Sequence, residues 1–208
     1  MQSVWLTSAY LAPIHYYTKL YLYDKAYIEC FDHYMKQTYR NRCYIAGPEG
    51  IQSLTIPTEK CADPKCLMKD VRISDHGHWR HVHWNALQTA YHNSPFFDYY
   101  ADDFAPFYEK RYTFLWDFNQ ELCRLVCCLL DIQPELIPTS QYEACTGNDF
   151  REQIHPKRPF ASDTSFVPAR YYQVFQPSGF IPNLSIVDLL FNMGPESIII
   201  LRDSIQAS

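Results

Sequence analysis

The first thirty residues constrain the fold most. Ser3 to Leu11 (SVWLTSAYL) reads as a strand, Pro13 opens a helix running to about Leu22, and Ala26 to Phe31 (AYIECF) reads as a second strand. This β-α-β outline predicts an α/β fold with a partly parallel central sheet flanked by helices, an α+β arrangement being the alternative. It also puts the turn after the first strand at the carboxyl edge of that sheet, where ligands of open α/β folds usually bind. The turn, AYLAPIHYY, lacks the glycines of a dinucleotide fingerprint. A Rossmann cofactor is therefore not expected, and no other cofactor is indicated.

A chain of 208 residues is long enough for one well-buried core, so a single domain over residues 1–208 is the reading. Its aromatic share of 16%, led by 17 Tyr, favours a compact interior with polar-tipped walls. A net charge of -5 argues against a nucleic-acid partner, because phosphate backbones require a concentrated basic surface. The opening MQSVWLTSAYLAPIHYY has no basic n-region or continuous apolar stretch, and no run reaches the length of a membrane span. A cytoplasmic protein with no membrane partner is expected, and oligomeric state is not indicated. The eight cysteines are scattered through a chain that needs no staples, so reduced thiols are expected.

Further along, MKQTYRNRCYIAGPEGIQSLTIP gives extended segments around a Gly-Pro-Glu-Gly turn, and Thr58 to Lys69 is a polar connector. Helices are predicted over about His78 to His92, in shorter pieces from Phe97 to Tyr108, and over Tyr112 to Asp131, where Cys123, Cys127 and Cys128 ride an apolar stripe. Residues 146–168 mix prolines and charges without an apolar period and read as a long loop with scope for movement. Tyr171 to Phe175 reads as a short strand. Ser185 and Asp188 have the spacing of a capping box before an apolar helix, and Asn192, Gly194 and Pro195 end it and start another.

The stretch DHGHWRHVHW, Asp75 to Trp84, holds four of the eight histidines, downstream of Cys61 and Cys66. A structural zinc site wants four converging ligands; the match of Cys61, Cys66, His78 and His83 is loose, so no metal is expected. Because a helix turns about 100° per residue, His81 and His83 point apart. His83 aligns with Trp79, Leu87 and Tyr91 on the apolar face, His81 with Asn85, Gln88 and His92 on the polar one. His83 is then either a hydrogen-bonded core residue or the best general base in the chain.

Several phrases now coincide in order and spacing: YLAPIHYY, KQTYRNRCYI, LTIP, WRHVHWNALQTAYHNSPFF, YYQVF and GFIPNLSIVDLLFNMGPES. Together they resemble the WbqC-like protein family over nearly the whole chain. Trp79, Arg80, His83, Tyr91 and Pro95 take positions of its W-R-x-x-H…L…A-Y-x-x-S-P pattern, which His76, His78 and His81 do not match. The resemblance also singles out Tyr10, Pro13, Tyr16, Lys36, Asn41, Arg42, Tyr172, Gln173, Asn183, Ser185, Asp188, Asn192, Gly194 and Pro195. Ala12 stands where a proline is usual, and Gln141 to Ala169 lacks a glycine-rich segment of longer members.

The resemblance implies surface-polysaccharide (O-antigen-type) biosynthesis and a transferase that places an acyl or aminoacyl group on an amino sugar, with a small-molecule or nucleotide-sugar substrate. In that reading His83 accepts the amine proton, Lys36 and Arg42 hold a diphosphate or carboxylate, and Asn41 polarises an acyl oxygen. Tyr10, Tyr91, Tyr172 and Gln173 complete the substrate-binding set. Each has a bland counterpart: solvated charges for Lys36 and Arg42, a turn residue for Asn41, capping for Ser185 and Asp188, core packing for Tyr10 and Tyr172. His155-Pro156-Lys157-Arg158 is a phosphate clamp or an ordinary surface loop, and Cys43 beside Arg42 is an activated thiol or a strand residue. A non-catalytic binding protein using the same pocket is the rival function, and nucleotidyl transfer a third.

Overall fold

The computed structural model describes residues 2–61, 65–144, 147–176 and 179–206. Its centre is a parallel sheet in the order β5-β2-β1-β6, made of β1 (Ser3–Thr7), β2 (Lys25–Glu29), β5 (Glu135–Pro138) and β6 (Asn148–Asp149). The crossover from β1 to β2 is α1 (Ile14–Leu22), as the opening residues predicted. Side chains alternate across a strand. Val4, Leu6, Ala26 and Ile28 accordingly face the core, while Trp5 and Tyr27, paired in register, stack on the other side with ring centroids 4.6 Å apart.

A separate antiparallel hairpin, β3 (Arg42–Gly47) and β4 (Gly50–Thr55), closes through the Gly47–Gly50 pair. The helical part comprises α2 (Trp79–Tyr91), α3 (Phe97–Glu109), α4 (Leu115–Leu129), α5 (Ile186–Met193) and α6 (Ser197–Asp203). Apart from its last residue, α5 is buried throughout, and it touches α1, α2, α3, α6 and β3. A helix that is apolar on nearly every side belongs in the middle.

Four expectations need correction. The first strand stops at Thr7 rather than Leu11, because residues 8–13 turn sharply through Leu11 at a φ of 39°. Tyr171 to Phe175 is not a strand: its polar groups bond to α5 side chains instead of a ladder, with the Val174 N–H donating to Asn192 Oδ1 at 2.9 Å. Ser185 and Asp188 form no capping box, since Ser185 Oγ donates to the Leu11 carbonyl at 2.8 Å and no side-chain bond caps the helix. The described part of the 146–168 loop is anchored, and it contributes strand β6; Thr146 itself lies outside the described residues.

That anchoring is ionic and buried. Arg151 Nη1 reaches Glu29 Oε2 at 2.7 Å, while its Nη2 reaches Asp149 Oδ2 at 2.6 Å, so one guanidinium ties the end of β2 to β6. Glu29 also accepts from Thr139 Oγ1 and the Phe31 N–H, both at 2.8 Å. A fully buried carboxylate is tolerable because both of its oxygens accept hydrogen bonds in this way.

Candidate functional site

In the sheet, β1 lies between β2, which follows it through α1, and β6, which arrives more than a hundred residues later. From β1 the chain runs outward through β2 to β5 and then returns to place β6 on the other side of β1. This makes their carboxyl ends a topological switch point, the preferred crevice of open α/β sheets.

The start of α1 is built into that crevice. Pro13 offers no N–H; the Ile14 N–H donates to the Leu184 carbonyl at 3.0 Å and the His15 N–H to Asn183 Oδ1 at 2.9 Å. Asn183, held at a φ of 57°, thus serves as a cap supplied by another segment. His15 and Lys19 lie one turn apart on the same helix face, and both reach Asp163 Oδ2, at 2.7 and 2.5 Å. Ser165 Oγ donates to Asp163 Oδ1 at 2.6 Å, and the His15 ring stacks on Phe166 with centroids 4.5 Å apart. Every degree of freedom of this imidazole is therefore restrained.

Burial raises the pKa of Asp163, but the hydrogen bonds from His15, Lys19 and Ser165 outweigh it and hold the carboxyl well below the usual carboxylate range. Burial lowers His15 below its ordinary value, against the opposing bond to Asp163. An ionised carboxylate only accepts, so a neutral His15 donates through Nε2 and keeps its lone pair on Nδ1. His15 lines a cleft of about 320 Å³, together with Tyr39, Tyr44, His155, Arg158 and Asn183. No acidic side chain lines this cleft, so it favours an anionic ligand.

Of the residues expected to form one pocket around His83, Tyr10 lies against its ring and Arg42 pairs with Thr55, whose backbone His83 meets, whereas Lys36, Tyr91, Tyr172 and Gln173 are placed elsewhere. His15 is as deeply buried, at 1% exposed, but lies on the wall of a cleft, whereas His83, 3% exposed, is enclosed by Tyr10, Trp79 and the Thr55 backbone. Its Nδ1 meets Tyr10 Oη at 2.9 Å, and Tyr10 Oη in turn meets Tyr108 Oη at 2.9 Å. Burial lowers its pKa to about 4, far from the value suited to a base at neutral pH. Lys36 is exposed, Arg42 Nε is held by Thr55 Oγ1 at 2.8 Å, and Asn41 Nδ2 donates to the Ile56 carbonyl at 2.9 Å. Asn41 and Arg42 are thus engaged in hairpin bonding, and neither lines the His15 cleft.

Tyr91 and Gln173 sit elsewhere, around Asp188. That fully buried carboxylate accepts from Tyr91 Oη at 2.9 Å, Tyr171 Oη at 2.5 Å and Gln173 Nε2 at 2.9 Å. Tyr172 points away and is 52% exposed. Cys43 is a buried strand residue whose thiol burial pushes up, the opposite of activation. His81 Nε2 meets Asn85 Nδ2 at 3.0 Å on the polar face of α2, and Cys30, Cys43, Cys61, Cys123, Cys127 and Cys128 are free thiols. Among the described residues no group of three or more His, Cys, Asp or Glu is placed to hold a metal, and no helix is long and apolar enough to cross a membrane. Residues 62–64, within the connector between Cys61 and Cys66, lie outside the described residues.

His15 and Asp163 were missed by sequence reasoning. His15 stands in the quoted turn YLAPIHYY, and its i, i+4 pairing with Lys19 was visible there; nothing local announces Asp163, 148 residues away.

The sequence profile of the WbqC-like protein family matches residues 8–158 and 160–200. The chain belongs to this family. A WbqC-like relative, titled "Uncharacterized protein Rv1507c" of Mycobacterium tuberculosis (strain ATCC 25618 / H37Rv), is 30% identical over 191 residues, spanning 79% of this chain and 81% of the relative. No solved structure matches. Many of the positions that carried the WbqC-like resemblance are the ones that build the crevice walls: Pro13 and Asn183 set the start of α1, Tyr16 Oη donates to the Thr7 carbonyl at 3.0 Å, and Ser185 holds the Leu11 turn.

Proposed function

We propose that this WbqC-like protein is a group-transfer enzyme that places an acyl or aminoacyl group on the amine of a small amino-sugar or nucleotide-sugar acceptor, with His15 rather than His83 as its acid–base group. The observation that carries the reading is the His15–Asp163 pair, fixed at the switch-point crevice and facing a cleft lined by basic and neutral side chains. The surface-polysaccharide setting comes from the family resemblance and belongs to this proposal.

The chemistry follows from the ring's environment. As the acceptor amine attacks the acyl carbon, its proton passes to Nδ1 of His15, and the resulting imidazolium is stabilised by Asp163 Oδ2 at 2.7 Å. Collapse of the tetrahedral adduct breaks the bond to the leaving group, which takes that proton back. Lys19 keeps Asp163 ionised throughout the cycle. Arg158, on the cleft wall, supplies charge for a phosphate or carboxylate on the substrate, and His155, whose pKa burial lowers, offers a neutral ring N–H.

The test starts with a thermal-shift screen of the full chain against nucleotide sugars and acyl-coenzyme A compounds. Binding of either class supports the reading; stabilisation by neither sinks it. With the active pair identified, His15→Gln should lower transfer by about 10²–10⁴-fold while leaving ligand affinity within a few-fold. A binding protein that uses the same cleft without turnover is the second reading, and it predicts tight ligand binding with no transferred product.

A further inference from the structure

The ammonium of Lys19 belongs to a residue as deeply enclosed as His15 beside it, both being 1% exposed. Its donors are all engaged. Nζ meets Asp163 Oδ2 at 2.5 Å, donates to Ser165 Oγ at 2.7 Å, and stands 4.4 Å from the centre of the Phe150 ring. Ser165 Oγ in turn donates to Asp163 Oδ1 at 2.6 Å, so both oxygens of the carboxylate are held. Lys19 does not line the His15 cleft, so it acts on a molecule bound there only through its neighbours. What it shares with His15 is a single atom: Nε2 and Nζ both end on Asp163 Oδ2.

Counting charge in this cluster decides the state of the ring. With a neutral imidazole, the Lys19 and Asp163 charges cancel; a protonated imidazole leaves one uncompensated positive charge in a buried place, which is costly. Without the ammonium the sum inverts, and a proton on the ring would instead cancel the carboxylate. The surroundings leave this count unchanged. Among the described residues, Arg158 alone carries a fixed charge on the cleft wall, and Glu152 offsets it at 3.7 Å. Tyr39, Tyr44 and His155 face His15 across the cleft; burial pushes the Tyr39 hydroxyl up to about 12 and lowers His155. Burial and the Asp163 charge both raise Tyr23, at the end of α1. For His15 itself, burial lowers the pKa, the bond to Asp163 opposes it, and the Lys19 charge lowers it further.

We propose that Lys19 is a positioning residue for the acid–base step: by sharing Asp163 Oδ2 with Nε2, it holds His15 as the neutral ring with a free Nδ1. Where His15 is the base, this sets the lowest pH at which the site works. The inference rests on the group-transfer reading and deepens it. An isolated carboxylate–histidine pair favours the imidazolium, which has no lone pair to offer an incoming proton. The third member of the cluster makes the pair usable as a base. It also speeds the second half of the cycle, because a proton taken up on Nδ1 leaves the cluster with surplus positive charge and passes readily to the leaving group.

Nitrogen NMR of the histidine rings in the full chain reads the His15 protonation state directly, without any substrate. Lys19→Met should tighten the hold of His15 on its proton by at least about tenfold, one pH unit upward, whereas Lys19→Arg, which keeps the charge, should leave it within about threefold. Because Lys19→Met strands a buried carboxylate, a second comparison removes that group as well. The double variant Lys19→Met with Asp163→Asn should hold the His15 proton at least about tenfold more tightly than Asp163→Asn alone. No rise in Lys19→Met, an equal rise in Lys19→Arg, or, if Lys19→Met does not fold, identical titration of the second pair would each overturn the role of Lys19. With a donor and acceptor identified by the ligand screen, the acidic limb of kcat/KM should move upward with the ring in Lys19→Met and stay in place in Lys19→Arg. A ring titration that moves while the limb stays put supports the hold of Lys19 on His15 and sinks His15 as the base.

Discussion

The imidazole of His83 is buried with Tyr10 Oη and the Thr55 backbone as its polar partners, and burial lowers its pKa from 6.5 to about 4. A histidine that resists protonation when folded but accepts it when unfolded makes stability pH-dependent. Its contribution is complete above pH 6.5 and is lost as pH falls toward 4, by about 3 kcal/mol in all. Chemical denaturation across that window should therefore show His83→Gln losing less stability on acidification than the parent chain, by roughly that amount. Asp188 acts differently, because its three donors are trapped with it. Asp188→Ala leaves Tyr91, Tyr171 and Gln173 with an unfilled partner, and urea titration should register a loss of about 3 kcal/mol. Sequence reading did single out Tyr91, Gln173 and Asp188, but it scattered them among substrate binding and capping. Only tertiary packing shows that they form one network.

Among the elements, the break between α5 and α6 is the most tightly specified. Gly194 has a φ of 55° and a ψ of -130°, and a Cβ there would stand 2.5 Å from Cδ1 of Phe96. Both the backbone and the space exclude a side chain. Gly194→Ala is expected to cost about 2–4 kcal/mol, measurable as a lowered Tm with unchanged secondary structure. Helix α1, the hairpin, α2 and α4 were all legible to within a few residues, since each carries a strong period or a clear breaker. Strands β5 and β6 were not. ELIP is four residues long and Asn148–Asp149 only two, too short for alternation to register against their surroundings. The Tyr171 segment failed for the opposite reason: its composition suits a strand, but side chains of α5 compete for its backbone.

Across the whole molecule, Arg151 joins segments 122 residues apart, linking Glu29 at the end of β2 to the strip that continues into the wall of the His15 cleft. Arg151→Met strands a buried carboxylate, so equilibrium unfolding should reveal a loss of about 3–5 kcal/mol. The parallel pairing of the first two strands was legible from the first thirty residues alone. The particular histidine was not, because its value depends on Asp163, which arrives only when the late segment folds back over α1. Attention went instead to the denser histidine cluster on α2, whose apolar-face member turns out to be sealed.

The sheet's outer strands have a consequence for the protein's behaviour in concentrated solution. One border is only two residues wide, and the other ends at Pro138, which has no amide hydrogen to offer a neighbour. A stray chain seeking to add itself to either border finds almost nothing to zip against, so this sheet resists extension by strand addition.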